Sequence, residues 1–168
     1  MTSRVIVALR VKANATRAFE VFTREINAWW RPNQLFQFTR RSPGVLAIEP
    51  PDVNGEGGRF TETLANGKVF EIGKIKVWAP GEKLVLGWRQ ASFAPGQDTE
   101  VEVTFEPVGD ETRVTVEHRG WDTVPAEHVA KHRFPEAIFL RRHGEWWRDL
   151  LEAMSGRLQS APGDQGDQ

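Results

Sequence analysis

Residues 99–119 read TEVEVTFEPVGDETRVTVEHR, and a rhythm of two runs through both ends of the stretch. Thr99, Val101, Val103 and Phe105 alternate with Glu100, Glu102, Thr104 and Glu106. Thr112, Val114, Val116 and His118 then alternate with Arg113, Thr115, Glu117 and Arg119. Successive side chains of a strand point to opposite faces, so each run has one apolar and one charged face. That is the pattern of an antiparallel sheet with one side in water.

Working back towards the N-terminus, the loop Ala94-Pro95-Gly96-Gln97 follows a strand over Leu84–Gln90. The turn Ala79-Pro80-Gly81-Glu82 joins that strand to a long one, Val69–Trp78. Ala65-Asn66-Gly67 is a hairpin signal linking it to Arg59–Leu64. Asp52–Gly58 is a turn-rich loop, and Val45–Ile48 is a short strand ended by Pro50-Pro51. The first strand is Arg4–Lys12, with Val5, Val7, Leu9 and Val11 on one face and Arg4, Arg10 and Lys12 on the other. Asn14 or Thr16 can cap the helix that follows. There Phe19, Phe22, Ile26 and Trp29 or Trp30 recur at helical spacing, and Pro32 closes the segment.

Beyond residue 119 the period changes. Pro125–His132 reads as a short turn. A helix then runs from Phe134-Pro135 to about Leu158. Its buried stripe is Phe139, His143, Trp146 or Trp147, Leu150, Leu151, Met154 and Leu158. Ser160–Gln168 is a polar tail with the composition of disorder, which leaves one domain over residues 1–159. The whole is an α+β fold, a curved antiparallel sheet of about six or seven strands wrapped around a long C-terminal helix. A strongly curved sheet cannot follow a straight helix along its length, so an apolar pocket is expected between them.

This order and these residues resemble the START-like, or SRPBCC, helix-grip superfamily, and within it the activator of heat-shock-protein-90 ATPase homologue group. The resemblance is carried by Ala18-Phe19-Glu20-Val21-Phe22-Thr23, the Trp29-Trp30 pair, and Gly57-Gly58-Arg59-Phe60 followed by Asn66-Gly67 and Gly73-Lys74-Ile75. The segment from Pro80 to Trp88, the closing strands Thr99–Glu106 and Thr112–Gly120, and the Trp-rich last helix complete it. Together these motifs span about residues 3–158. The resemblance implies the topology and a cavity. It does not choose a chemistry, because this scaffold hosts carriers, cyclases, hydroxylase domains and stress proteins.

Lys plus Arg number 22 against 23 for Asp plus Glu, so the chain has no electrostatic footprint for nucleic acid or anionic lipid. It has no cysteine, which excludes disulfides, a thiolate nucleophile and Cys-ligated metals. With no run of membrane-spanning length and no signal-peptide core, a cytoplasmic location is expected. No G-x-S-x-G occurs, and the Gly55-Glu56-Gly57-Gly58 loop lacks phosphate-loop spacing. His128 and His132 have the spacing that sets two imidazoles on one helical face, but no acidic third ligand accompanies them or His118 and His143. No metal or other cofactor is expected.

Seven Trp and ten Phe against no Tyr remain as the unusual feature. Bulky rings fill cores and also line cavities. Trp29, Trp30, Phe36, Phe38 and Phe60 are candidate pocket walls, as are Trp88, Trp121, Phe139 and Trp147. Glu62 shares strand parity with Phe60 and Leu64 and is a candidate acid or ligand anchor, unless a slip of one residue turns it to water. His118 lies on the apolar parity of its strand, as a base, a ligand contact or a satisfied histidine at a strand end. His143 lies on the buried helical stripe, as a polar contact at the pocket mouth or as a capped surface histidine.

The first expectation is a pocket that binds a small hydrophobic or aromatic molecule without catalysis. One alternative is a polyketide cyclase-like or hydrolase-like enzyme using Glu62 and His118 as an acid–base pair. Another is a stress-response interaction module that stimulates a chaperone ATPase. A monomer or weak homodimer is expected.

Overall fold

The computed structural model describes residues 4–33, 36–39, 44–125 and 127–160. Its framework is a seven-stranded, fully antiparallel sheet: β1 (Arg4–Val11), β2 (Val45–Glu49), β3 (Arg59–Thr63), β4 (Val69–Ala79), β5 (Lys83–Trp88), β6 (Thr99–Val108) and β7 (Glu111–Arg119). The strand order is β1-β7-β6-β5-β4-β3-β2, so the chain meanders from β2 to β7 and β1 closes the far side. Helices α1 (Ala15–Arg24) and α2 (Ile26–Trp29) lie between β1 and β2, and α3 (Glu136–Ser160) ends the fold. The strand parities hold. Val101, Val103 and Phe105 face Leu86, Leu84 and β7's Val114, Val116 and His118 across the ladder, all buried.

Local chemistry explains the helix boundaries. The Asn14 side chain accepts from Arg17 N at 2.8 Å and caps α1, satisfying one of the donors that a helix start leaves open. The expected single helix through Trp29 or Trp30 is instead broken at Glu25, which has non-helical backbone angles. Its carboxylate is held by Arg17 at 3.0 Å and by Arg157 of α3 at 2.9 Å, so the break ties the two helical layers together.

The sheet bends at β4. Val69–Lys74 pairs with β3 and Ile75–Ala79 pairs with β5, with register irregularities between Phe60 and Thr61 and between Ile75 and Val77. Bulges of this kind sharpen twist and bend a strand. At the bend Gly73 passes so close to Gly87 that a Cβ on Gly73 would overlap the Gly87 carbonyl. The reverse contact is loose, since a Cβ on Gly87 would meet Gly73 Cα and Lys74 N at 3.5 Å. Curvature thus requires glycine at one of the two positions only.

The folding free energy checks this. Gly73→Ala is expected to cost about 3 kcal/mol, the upper range of overpacking, and Gly87→Ala less than about 1 kcal/mol. Equal urea midpoints for the two variants would contradict the asymmetry.

Candidate functional site

The chemistry-bearing side chains gather where α3 crosses β7. His118 is fully buried on β7, and His143 and Trp147 come from successive turns of α3. Trp147 Nε1–H donates to His118 Nδ1 at 3.2 Å. An indole nitrogen can only donate, so Nδ1 is the acceptor and the His118 proton sits on Nε2. Nε2–H then donates to Thr99 Oγ1 at 2.9 Å, and that hydroxyl donates to the Trp88 carbonyl at 2.6 Å. His143 Nε2–H also donates to His118 Nδ1, at 2.9 Å. This leaves His143 Nδ1 bare. Both it and Trp121 Nε1 are buried without a hydrogen-bond partner among the described residues.

Burial holds His118 well below the ordinary imidazole value, and the neighbouring His143 pushes it the same way. Burial alone pushes His143 down to about 3. Both rings are therefore neutral, and the relay carries hydrogen bonds rather than charge.

Rings surround this relay. Trp88 lies 5.1 Å from His118 and 5.4 Å from Trp147, centroid to centroid. Trp121 packs 4.9 Å from Phe139 and 5.0 Å from His143. Phe60 contacts Trp88, and Trp29 contacts Phe22 and Trp30. The expectation of a pocket between the sheet and the last helix is thus corrected at this seam. Trp121, Phe139, Trp147 and Leu150 are fully buried and fill the space that curvature opens.

Open volume lies to one side, beside α2. A cavity of about 140 Å³ is walled by Trp30, Pro32, Phe36, Phe38 and Leu46, with Asn27, Asn33, Gln37, Gly44 and Glu62 completing it. Of the twelve residues expected to line a pocket, Trp30, Phe36, Phe38 and Glu62 do so here. Trp29, Phe60, Trp88, His118, Trp121, Phe139, His143 and Trp147 belong to the packed aromatic core. Glu62 is 1% exposed, as its parity with Phe60 required. Its Oε1 accepts from Thr39 Oγ1 and its Oε2 from Gly44 N, both at 2.9 Å. A Cβ on Gly44 would meet Thr63 O at 2.5 Å and Glu62 Cγ at 2.8 Å, so only glycine brings that amide to the carboxylate.

Glu62 and His118 are not brought together as a pair. Their strands are four steps apart in the sheet, and Glu62 bonds Thr39 and Gly44 whereas His118 bonds Thr99, His143 and Trp147. His128 and His132 do not share a helical face either. They flank a short 3-10 turn, Val129–Lys131, with His132 at φ 53°. Among the described residues no three His, Cys, Asp or Glu side chains converge as a metal site.

Sequence reasoning missed Lys131, Asn27, Thr39 and Gly44. Lys131 is buried, and its Nζ donates to the carbonyls of Trp121 at 3.0 Å and Val124 at 2.7 Å and to Glu136 Oε1 at 2.9 Å. It clamps the 3-10 turns onto the start of α3. A lone lysine in a polar stretch carries no signal of this, because its partners are backbone oxygens. Asn27 reads as a helix-surface amide, yet its Oδ1 accepts from Leu46 N at 2.9 Å and joins α2 to β2.

No curated protein matches the chain. The model of the activator of Hsp90 ATPase homolog 1-like family matches residues 12–153. The chain belongs to that family. Its fold is the family's helix-grip: a Plasmodium falciparum Hsp90 activator superposes with a TM-score of 0.61 at 16% identity, covering 94% of this chain and 96% of that one. The Aha1 dimer from Colwellia psychrerythraea gives 0.60 at 15% identity, over 94% and 96%. An anthrahydroquino-gamma-pyrone synthase gives 0.53 at 24% identity, over 89% and 96%. At these identities the likeness is one of fold. No helix among the described residues is long and apolar enough to cross a membrane.

The relay makes a prediction for this family member. The unfolded chain takes up protons below the ordinary value of 6.5, whereas folded His143 stays neutral down to about 3. Stability is therefore complete above pH 6.5 and falls as the pH drops through that window, by about 2 kcal/mol at pH 5 from His143 alone. His143→Leu removes this loss and a bare acceptor, costing less than about 1 kcal/mol at pH 7. His118→Leu orphans the Trp147 donor and costs about 2–3 kcal/mol. Urea titrations at pH 7 and pH 5 measure all three proteins; acid sensitivity unchanged in His143→Leu would contradict the assignment.

Proposed function

We propose that the protein binds a small, mainly apolar molecule, or one ring of a larger one, in the cavity beside α2. The carrying observation is the cavity itself, with Trp30, Phe36, Phe38 and Leu46 on its walls and a fixed carboxylate at one side. Its volume of about 140 Å³ is close to that of an engineered apolar cavity of about 150 Å³ that takes up benzene. A polycyclic substrate needs several hundred Å³, so the size favours a single ring or a compact branched group. Few polar groups set among apolar walls suit recognition, in which burial supplies affinity and the polar groups fix orientation.

Trp30 is the natural reporter, since it lines the cavity and touches both Trp88 and Trp147. Titration with one-ring aromatics and short branched alcohols is expected to shift the Trp30 indole resonance, and Trp30→Leu to weaken binding at least tenfold, about 1.4 kcal/mol. A panel that leaves every indole resonance unmoved would overturn the reading. It would favour instead a protein-interaction module, which rests on the packed seam under α3 and on the family.

A further inference from the structure

Two polar atoms of the core stand at the end of the His118–His143 relay. Trp121 Nε1 and His143 Nδ1 are both buried without a hydrogen-bond partner among the described residues. Both side chains are fully buried, and their ring centroids lie 5.0 Å apart. Nearly all buried polar atoms of folded proteins have a partner, either protein or ordered water. The relay decides what each of these two requires. An indole nitrogen only donates. His118 Nδ1 already accepts from Trp147, so His143 carries its one proton on Nε2, in the bond to His118. His143 Nδ1 is therefore an acceptor.

The pair calls for one group that accepts from the indole and donates to the imidazole. A hydroxyl does both, whereas a carboxylate cannot donate and an ammonium cannot accept. We infer that Trp121 and His143 form a site for a single neutral hydroxyl oxygen, that of an internal water or of a ligand. Such a site needs little room, about 10–15 Å³ for one water. The oxygen extends the relay into a chain with one direction: hydroxyl to His143, His143 to His118, His118 to Thr99, and Thr99 to the Trp88 carbonyl. Hydrogen bonds aligned in this way polarise one another, which strengthens the hold on the oxygen. Phe36 walls the cavity beside α2 and meets His143 edge-on at 4.8 Å, so a ligand's hydroxyl reaches the site from that side. The inference stands whether or not the cavity itself is a binding site.

NMR of the isotopically labelled full chain at neutral pH tests this. With water in the site, the Trp121 indole proton shows a cross-peak to a long-lived water, and His143 Nδ1 resonates as a hydrogen-bonded acceptor. Titration with phenol, and with anisole, whose oxygen cannot donate, separates the two sources. A water cross-peak that survives both titrations assigns the site to water. A shift of the Trp121 proton and His143 Nδ1 with phenol and not with anisole assigns it to a ligand's hydroxyl. Trp121→Phe keeps the ring, removes the donor and is expected to move His143 Nδ1 towards the position of an unbonded nitrogen. Absence of the cross-peak, with His143 Nδ1 at the unbonded position throughout the phenol titration, overturns the inference. So does displacement of the water by anisole as readily as by phenol. The wild-type spectra decide the outcome, so a folding defect in Trp121→Phe does not.

Discussion

A long helix can lie against a sheet only if the nitrogens it buries find acceptors there. Here one imidazole edge meets that need. His118 Nδ1 accepts from Trp147 and from His143, and the other side of the same ring is tied through Thr99 to the Trp88 carbonyl. One side chain thus links α3 to β7, β6 and β5. An orphaned buried donor costs about 1–3 kcal/mol, so this acceptor decides which rotation of α3 is tolerated. Fixing that rotation puts Phe139, Trp146, Trp147 and Leu150 into the sheet's concave side together.

The location of the cavity follows. With the seam closed by large rings, the cavity walled by Trp30, Phe36 and Phe38 lies to one side of it, beside α2. The described residues between α2 and β2 are tied down by Trp146 Nε1, which donates to the Arg31 carbonyl at 3.4 Å, by Ala91 N, which donates to the Phe38 carbonyl at 2.7 Å, and by Thr39 and Gly44, which donate to Glu62. Phe36 and Phe38 belong to this stretch and supply two walls. Trp30 joins the cavity to the core, touching Trp88 and Trp147 behind it.

Much of the framework is legible in the sequence because it is local. Alternation in 99–119 fixes which face of β6 and β7 is dry, and the same reasoning turns His118 and Glu62 inward. Helical spacing finds the buried stripe of α3. The division of the aromatic residues between core and cavity wall is not local. It depends on how sharply β4 bends, which is set by Gly73 lying on Gly87 from another strand. Lys131 is hidden for a related reason, since carbonyls of Trp121 and Val124 become its ligands only after the 3-10 turns form. The His128–His132 spacing misleads because its meaning assumes a helix, and the backbone there takes left-handed angles at His132 and Arg133.

Large rings fill the space under α3, and an apolar-walled cavity lies beside α2. Crystals pressurised with xenon distinguish the two places, because xenon occupies apolar voids without needing a specific partner. One well-occupied xenon is expected between Trp30, Phe36 and Phe38, with none between Trp147 and β7. Xenon seated against His118 or Trp121, with the Trp30 cavity empty, would contradict this arrangement.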